Sequence, residues 1–142
     1  MIAIDTNLLV YAHRADAVQH RRAWKALDRA AASGSWGLSL ASVAEFLAVV
    51  THPKTAGGPS PSAAQAHAFL DALAAGGAVV WHPGPGFGDR LAQLSIDLGV
   101  SGPRIFDVQI GLTAFEAGAL ELWTHDAAFV RLPGLRIVDP LR

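Results

Sequence analysis

The sequence predicts an α/β domain built on a parallel sheet, with helices on both of its faces. Five short apolar segments alternate with stretches in which apolar residues recur at helical spacing, and this alternation is typical of parallel strands joined by crossover helices. The 142 residues can form one core, and their 51% hydrophobic and 16% charged content is typical of a folded chain. We therefore expect a three-layer sandwich around a central five-stranded sheet, in a single domain that spans residues 1–142.

The first half of the chain begins this alternation. Residues 2–4 form a buried strand that ends at Asp5, and the chain then turns through Thr6 and Asn7 into a first helix. Apolar residues at helical spacing indicate a second helix from His20, which the segment SGSWG ends. The remaining elements of this half are a strand at GLSL (37–40), a helix at 42–51 and a loop at HPKTAGGPSP (52–61).

The second half continues the same pattern to a fifth strand. Pro103 favours a helix start, because the first turn of a helix does not use the N–H group that proline lacks. Ligands of such a sheet bind beyond the carboxyl ends of its strands. In chain order we predict a helix around 66–73, a strand at AVVW (78–81), a Gly/Pro loop, a helix around 91–98, a helix from SGP (101–103) to about Gly118, a strand at ALELWT (119–124), a short helical turn at DAAFVRL (126–132) and a strand at RIV (136–138).

Composition and charge exclude several classes of protein. The chain has no cysteine, which excludes disulfides, thiol catalysis and Cys-rich zinc sites. No segment reaches the roughly 18 to 20 apolar residues of a membrane span, and the N-terminus lacks the pattern of a secretory signal. The net charge of −1 argues against a protein that binds nucleic acid mainly by neutralising many phosphates. We expect a cytoplasmic protein without a membrane partner.

Connectivity places three acids at the carboxyl edge of the predicted sheet, and a fourth, Asp107, reaches that edge if its helix begins there. Asp5 closes the first strand, and Asp126 closely follows the fourth. Glu45 lies one turn into the helix after the second strand, and Asp107 lies early in the helix before the fourth. Carboxylates this close repel unless a cation neutralises them, and an all-oxygen set suits Mg²⁺ or Mn²⁺. The pattern predicts hydrolysis of a phosphodiester by metal-activated water.

Each acid taken alone also has a structural interpretation. Asp5 can cap the turn into the first helix, and Glu45 has capping-box spacing from Ser42. Asp107 can be an acid favoured by the helix dipole, and Asp126 can cap the segment DAAF. The convergence of all four at one edge favours the metal site.

Neighbouring polar residues are candidates for supporting roles. Thr6, Asn7 and Thr124 flank the acids and are expected to orient them or to form turns. Arg14 and Arg104 lie within about two helical turns of an acid, and arginine binds phosphate through two parallel hydrogen bonds. We take these two arginines as candidate substrate-binding residues.

Four segments together resemble the PIN-domain nucleases, most closely the VapC-type toxins of toxin-antitoxin pairs. They are IDTNLLVYAH at the start, ASVAEFLAVVTHP around Glu45, PRIFDVQIGLTA around Asp107 and WTHDAAF up to Phe129. The resemblance implies strand order 3-2-1-4-5 and Mg²⁺- or Mn²⁺-dependent endonucleolytic cleavage of RNA. It also implies metal ligation by Asp5, Glu45, Asp107 and, more indirectly, Asp126, a cognate antitoxin that blocks the site, and a homodimer.

Two other functions remain open at this level. One is an aspartyl phosphatase of the haloacid dehalogenase type with Asp5 as nucleophile. Asn7 weakens it, because that chemistry expects a second aspartate at this position and a lysine near the later acids, whereas this chain has only Lys25 and Lys54. The other is a non-catalytic module whose acids bind basic residues of a partner.

Overall fold

The computed structural model describes residues 1–53 and 62–142, which form alternating strands and helices. The elements are β1 (Ile2–Ile4), α1 (Thr6–His13), α2 (His20–Ala32), β2 (Trp36–Ser39), α3 (Leu40–Val50), α4 (Ala63–Ala75), β3 (Ala78–Trp81), α5 (Phe87–Leu98), a 3₁₀ turn (Gly102–Arg104), α6 (Ile105–Glu116), β4 (Glu121–Trp123) and β5 (Arg136–Val138). None of the helices in these ranges is long and apolar enough to cross a membrane.

The five strands form one parallel sheet in the order β3-β2-β1-β4-β5, which confirms the predicted order. β1 is central, and Ile2 pairs with Trp36 of β2 on one side and with Glu121 of β4 on the other. The carboxyl ends of β1, β2 and β4 therefore meet at one edge, where residues 5, 40 and 124 follow them.

Alternate residues of the strands enter two separate cores. Ile4 and Trp123 pack with α1, α2, α3 and α4 on one face of the sheet, whereas Ala3 and Leu122 pack with α5 and α6 on the other. Successive side chains of a strand point to opposite faces of the sheet, and here both faces are covered by helices. It gives the predicted three layers of helix, sheet and helix.

A close contact between neighbouring strands requires glycine in β2. A Cβ atom added to Gly37 would lie 2.5 Å from the carbonyl oxygen of Val79 and 2.6 Å from the ring of Trp81. The indole ring of Trp81 therefore lies directly over the backbone of β2.

The structure corrects two boundaries and one helical prediction. β2 spans Trp36–Ser39 rather than 37–40, because α3 already begins at Leu40, and β4 is shorter than the predicted 119–124. Residues 126–132 are not helical, so that prediction is wrong. Only residues 52 and 53 of the predicted loop at 52–61 belong to the described part of the chain; the rest of that prediction lies outside it.

A backbone hydrogen bond and one side-chain contact explain why residues 126–132 do not continue as a helix. The N–H of Phe129 donates to the carbonyl of Asp126 at 3.1 Å, which closes a single turn. The next amide, that of Val130, donates instead to Oδ2 of Asp107 at 3.3 Å. A contact with a distant carboxylate thus replaces the hydrogen bond that a second turn would need.

Candidate active site

Asp5 stands at the carboxyl end of the central strand and caps the helix that follows. Its side chain is only 6% exposed. Oδ1 accepts from the backbone N–H of Thr6 at 2.8 Å, and Oδ2 accepts from the hydroxyl of Thr124 at 2.6 Å and from the amide of Asn7 at 3.3 Å. The capping interpretation and the site interpretation are therefore compatible, because the cap uses one oxygen and leaves the second among polar neighbours.

Asn7 and Thr124 join the ends of β1 and β4. The amide of Asn7 donates to the hydroxyl of Thr124 at 3.0 Å, and its carbonyl oxygen accepts from the N–H of His125 at 3.2 Å. The same hydroxyl accepts from the N–H of Asp126 at 3.0 Å. These contacts fix the orientation of Asp5. Residues that support a metal ligand act in this way, by holding the ligand with hydrogen bonds.

The electrostatics of Asp5 show that other acids lie near it. Its pKa is raised to about 6, chiefly because burial disfavours the charged form, while hydrogen bonds from Thr124 and Thr6 oppose the rise. The negative charges of Glu45 and Asp107 raise it further. Three of the four predicted acids thus lie near one another at the carboxyl edge of the sheet.

Glu45 is not part of a capping box. The helix α3 begins at Leu40 and is capped by Ser39, whose hydroxyl oxygen accepts from the N–H of Ser42 at 3.0 Å. Glu45 therefore lies in the second turn, exposed, on the wall of a cavity of about 420 Å³ that also contacts Phe106. The structure removes the main structural explanation for this glutamate.

Asp107 and Asp126 are held together by an arginine. Nη1 of Arg104 lies 2.9 Å from Oδ2 of Asp107 and 2.6 Å from Oδ2 of Asp126. This contact lowers the pKa of Asp126 and raises the pKa of Arg104 above its already high value. Asp126 also accepts from the N–H of Ala128 at 2.9 Å, in the manner of an Asx turn.

The two predicted phosphate ligands lie in different places. Arg104 lies among the acids, whereas Arg14 follows the far end of α1. At about 1.5 Å per residue, that helix separates Arg14 from Asp5 by roughly 13 Å along its axis. Nε and Nη2 of Arg14 are buried and have no hydrogen-bond partner among the described residues. The geometry therefore favours Arg104 over Arg14 as a residue of this site.

Sequence reasoning missed a cluster of polar contacts beside Asp126. Nδ1 of His125 lies 2.9 Å from the carboxylate of Asp139, which also pairs with Arg142 at 3.2 Å. The sequence separation of His125 and Asp139 gives no periodic signal. By contrast, the i,i+3 spacing of Arg104 and Asp107 is a helix-surface pair that the sequence does show.

The donor chemistry of the site fits a divalent cation. The four acids supply only oxygen, Asp5 is buried against two further negative charges, and the nearby hydroxyl of Thr6 is buried without a partner among the described residues. In residues 1–53 and 62–142, no three acidic or histidine side chains are already arranged to hold a metal ion. The cation that lies between two of the acids is the guanidinium of Arg104.

The fold and the acid-lined sheet edge define a known class of domain. The family model of the PIN domain matches residues 2–135, so the chain belongs to the PIN-domain family. Ribonuclease VapC43 of Mycobacterium tuberculosis is 35% identical over 143 residues, covering 99% of this chain and 96% of the relative. Among PIN-domain proteins, this chain is of the VapC type.

Two solved structures share the fold. VapC20 of Mycobacterium tuberculosis, described as a sarcin-ricin loop cleaving toxin, superposes with a TM-score of 0.67 at 15% identity, over 91% of this chain and 92% of that chain. VapBC2 of Rickettsia felis, solved with a DNA fragment from its promoter, gives 0.69 at 21% identity, over 97% and 98%. At these identities the likeness concerns the fold.

Proposed function

We propose that this chain is an endoribonuclease that hydrolyses RNA with the help of Mg²⁺ or Mn²⁺, and that it is the toxin of a VapBC-type pair. One observation carries the proposal: the buried carboxylate of Asp5 faces the charges of Glu45 and Asp107 at the carboxyl edge of the central strand. The relatives support it, since VapC43 is named a ribonuclease. We further propose that residues 1–142 are a single PIN-like domain.

The same four acids are our candidates for holding the ion. Asp5, Glu45 and Asp107 would bind it, and Asp126 would bind it directly or position a water molecule. A bound divalent ion supplies an acidified water and neutralises charge on the phosphate.

The chain's own residues position these groups. Thr124 and Asn7 hold Oδ2 of Asp5 in one orientation. The carboxylate therefore needs little reorganisation when it binds a cation. Arg104 lies at the entrance, about half exposed, where its guanidinium can contact a phosphate of the substrate. Burial of Asp5 keeps bulk water from one side of the site.

The proposed partners are an RNA substrate, a cognate antitoxin and a second copy of the chain, in the cytoplasm. The Rickettsia felis structure supports the antitoxin, because it is described as VapBC2 bound to a DNA fragment from their promoter. The homodimer rests on the resemblance and is measured by light scattering of the purified chain.

The test is cleavage of total RNA by the purified chain. We expect fragments in Mg²⁺ or Mn²⁺, none in EDTA, and none from Asp5→Asn or Glu45→Gln. Asp28→Asn is the matched control, because Asp28 is an exposed acid of α2, and it should cut like the wild type. Equal cleavage by Asp5→Asn would contradict the proposal, and a chain that binds an antitoxin without cutting RNA would be the non-catalytic module.

A further inference from the structure

One guanidinium nitrogen of Arg104 forms hydrogen bonds with two carboxylates of the proposed metal site. Nη1 of Arg104 donates to Oδ2 of Asp107 and to Oδ2 of Asp126, acids that are 19 residues apart in the sequence (126 − 107). Arg104 ends the short turn that precedes α6, and its side chain is 46% exposed. The backbone of Arg104 is thus held beside both acids by the turn, while its long side chain is partly exposed to solvent.

These two carboxylates have few oxygens left for an ion. Oδ2 of Asp107 also accepts from the N–H of Val130, and Oδ1 of Asp126 accepts from the N–H of Ala128. A divalent ion prefers the same negatively charged oxygens that the guanidinium uses. An ion bound at the two Oδ2 atoms that Nη1 contacts would lie close to the guanidinium charge, and the two cations would repel each other.

We infer that Arg104 is an internal competitor of the divalent ion: its guanidinium must leave Asp107 and Asp126 before these acids can complete the metal site. The inference rests on the proposed function, because it takes these acids as metal ligands. The released guanidinium is then free for the phosphate of the substrate.

Competition of this kind has a predictable size. The apparent affinity of an ion for a site that is open for only a fraction of the time falls by that fraction. If Arg104 occupies the acids in about nine molecules of ten, removing it should tighten ion binding about tenfold. The exposed position of Arg104 makes its release compatible with this range, because the guanidinium is readily solvated.

The experiment measures binding of Mn²⁺ alone to the metal-free chain, by electron paramagnetic resonance of the free ion. We expect Arg104→Met to bind Mn²⁺ about three to ten times more tightly than the wild type. Arg131→Met is the matched control: Arg131 lines a cavity with Asp126 but forms no ion pair with any described residue. It removes the same charge from the same neighbourhood, and we expect a change of less than about twofold.

Nuclear magnetic resonance of the arginine side chains supplies a second readout. In this experiment Mg²⁺ is added without Mn²⁺. The chemical shifts of the Arg104 guanidinium should change as Mg²⁺ is added, and at saturation they should equal the shifts of a solvated arginine. Equal Mn²⁺ affinity in the wild type and Arg104→Met, or equal tightening in both variants, would overturn the inference and leave the nuclease intact. Absence of ion binding in all three proteins would overturn the proposed metal dependence as well.

Discussion

Replacing Asp5 by asparagine should stabilise the metal-free protein while it abolishes cleavage. The folded chain raises the pKa of Asp5 from 3.8 to about 6, mainly through burial. A difference of about two pKa units corresponds to roughly 3 kcal/mol against the charged carboxylate at pH 8. Asparagine loses one acceptor for the neighbouring donors, which costs about 1 to 1.5 kcal/mol. The expected net gain is about 1.5 to 2 kcal/mol, or roughly 4 to 8 °C in Tm.

The pH dependence gives this prediction a definite sign. Between about pH 3.8 and 6 the folded chain holds a proton on Asp5 that the unfolded chain has lost, so the stability due to this group falls as the pH rises through that window. The advantage of Asp5→Asn should therefore be full above pH 6 and fade toward pH 4. Urea unfolding in EDTA at pH 8 and pH 4.5, followed by circular dichroism, measures it.

Asp126→Asn is the control with the opposite sign. The pKa of Asp126 is lowered by Arg104, so removing this charge should leave stability unchanged or lower it. The reasoning would be refuted if Asp5→Asn in EDTA at pH 8 were less stable than the wild type, or if its gain were the same at both pH values. Such a result would mean that the carboxylate needed for cleavage does not destabilise the folded protein.

Four further variants test the fold and the site. Ser39→Ala should cost about 1 kcal/mol in urea unfolding because it removes the cap of α3, whereas Glu45→Gln should change stability by less than about 0.5 kcal/mol and abolish RNA cleavage. Gly37→Ala should destabilise by roughly 1 to 3 kcal/mol, since its Cβ would lie 2.5 Å from the carbonyl oxygen of Val79; a midpoint equal to that of the wild type would contradict this contact. Thr124→Val removes the 2.6 Å hydrogen bond to the buried carboxylate and should weaken Mn²⁺ binding about 10- to 100-fold in a titration, while an unchanged affinity would mean that the hydroxyl supports only the turn.

Much of the fold follows from local sequence patterns. The five strands are short apolar runs bounded by breaking residues, and all five occur near their predicted positions. The order of the strands needs the family resemblance, because alternation alone does not place β1 at the centre. The predicted β2 at 37–40 differs from the observed strand by one residue at each end, because Ser39 caps a helix that begins at Leu40 rather than at Ser42.

The candidate site could be predicted only to the level of the sheet edge. Connectivity brings Asp5 and Asp126 to neighbouring strand ends, and the local pattern brings Asp107 to the first turn of its helix. The contact between Val130 and Asp107 joins residues 23 apart, and no local signal predicts it. The bridge formed by Arg104 depends on a side-chain rotamer, which a sequence pattern does not specify.

The placement of the acids also links the site to the completion of the chain. Asp5 depends on a hydrogen bond from Thr124, 119 residues away, across the pairing of β1 with β4. A polypeptide that ends before β4 leaves one flank of the middle strand unpaired and lacks both Thr124 and Asp126. Almost the whole chain must therefore be synthesised before the candidate site can assemble.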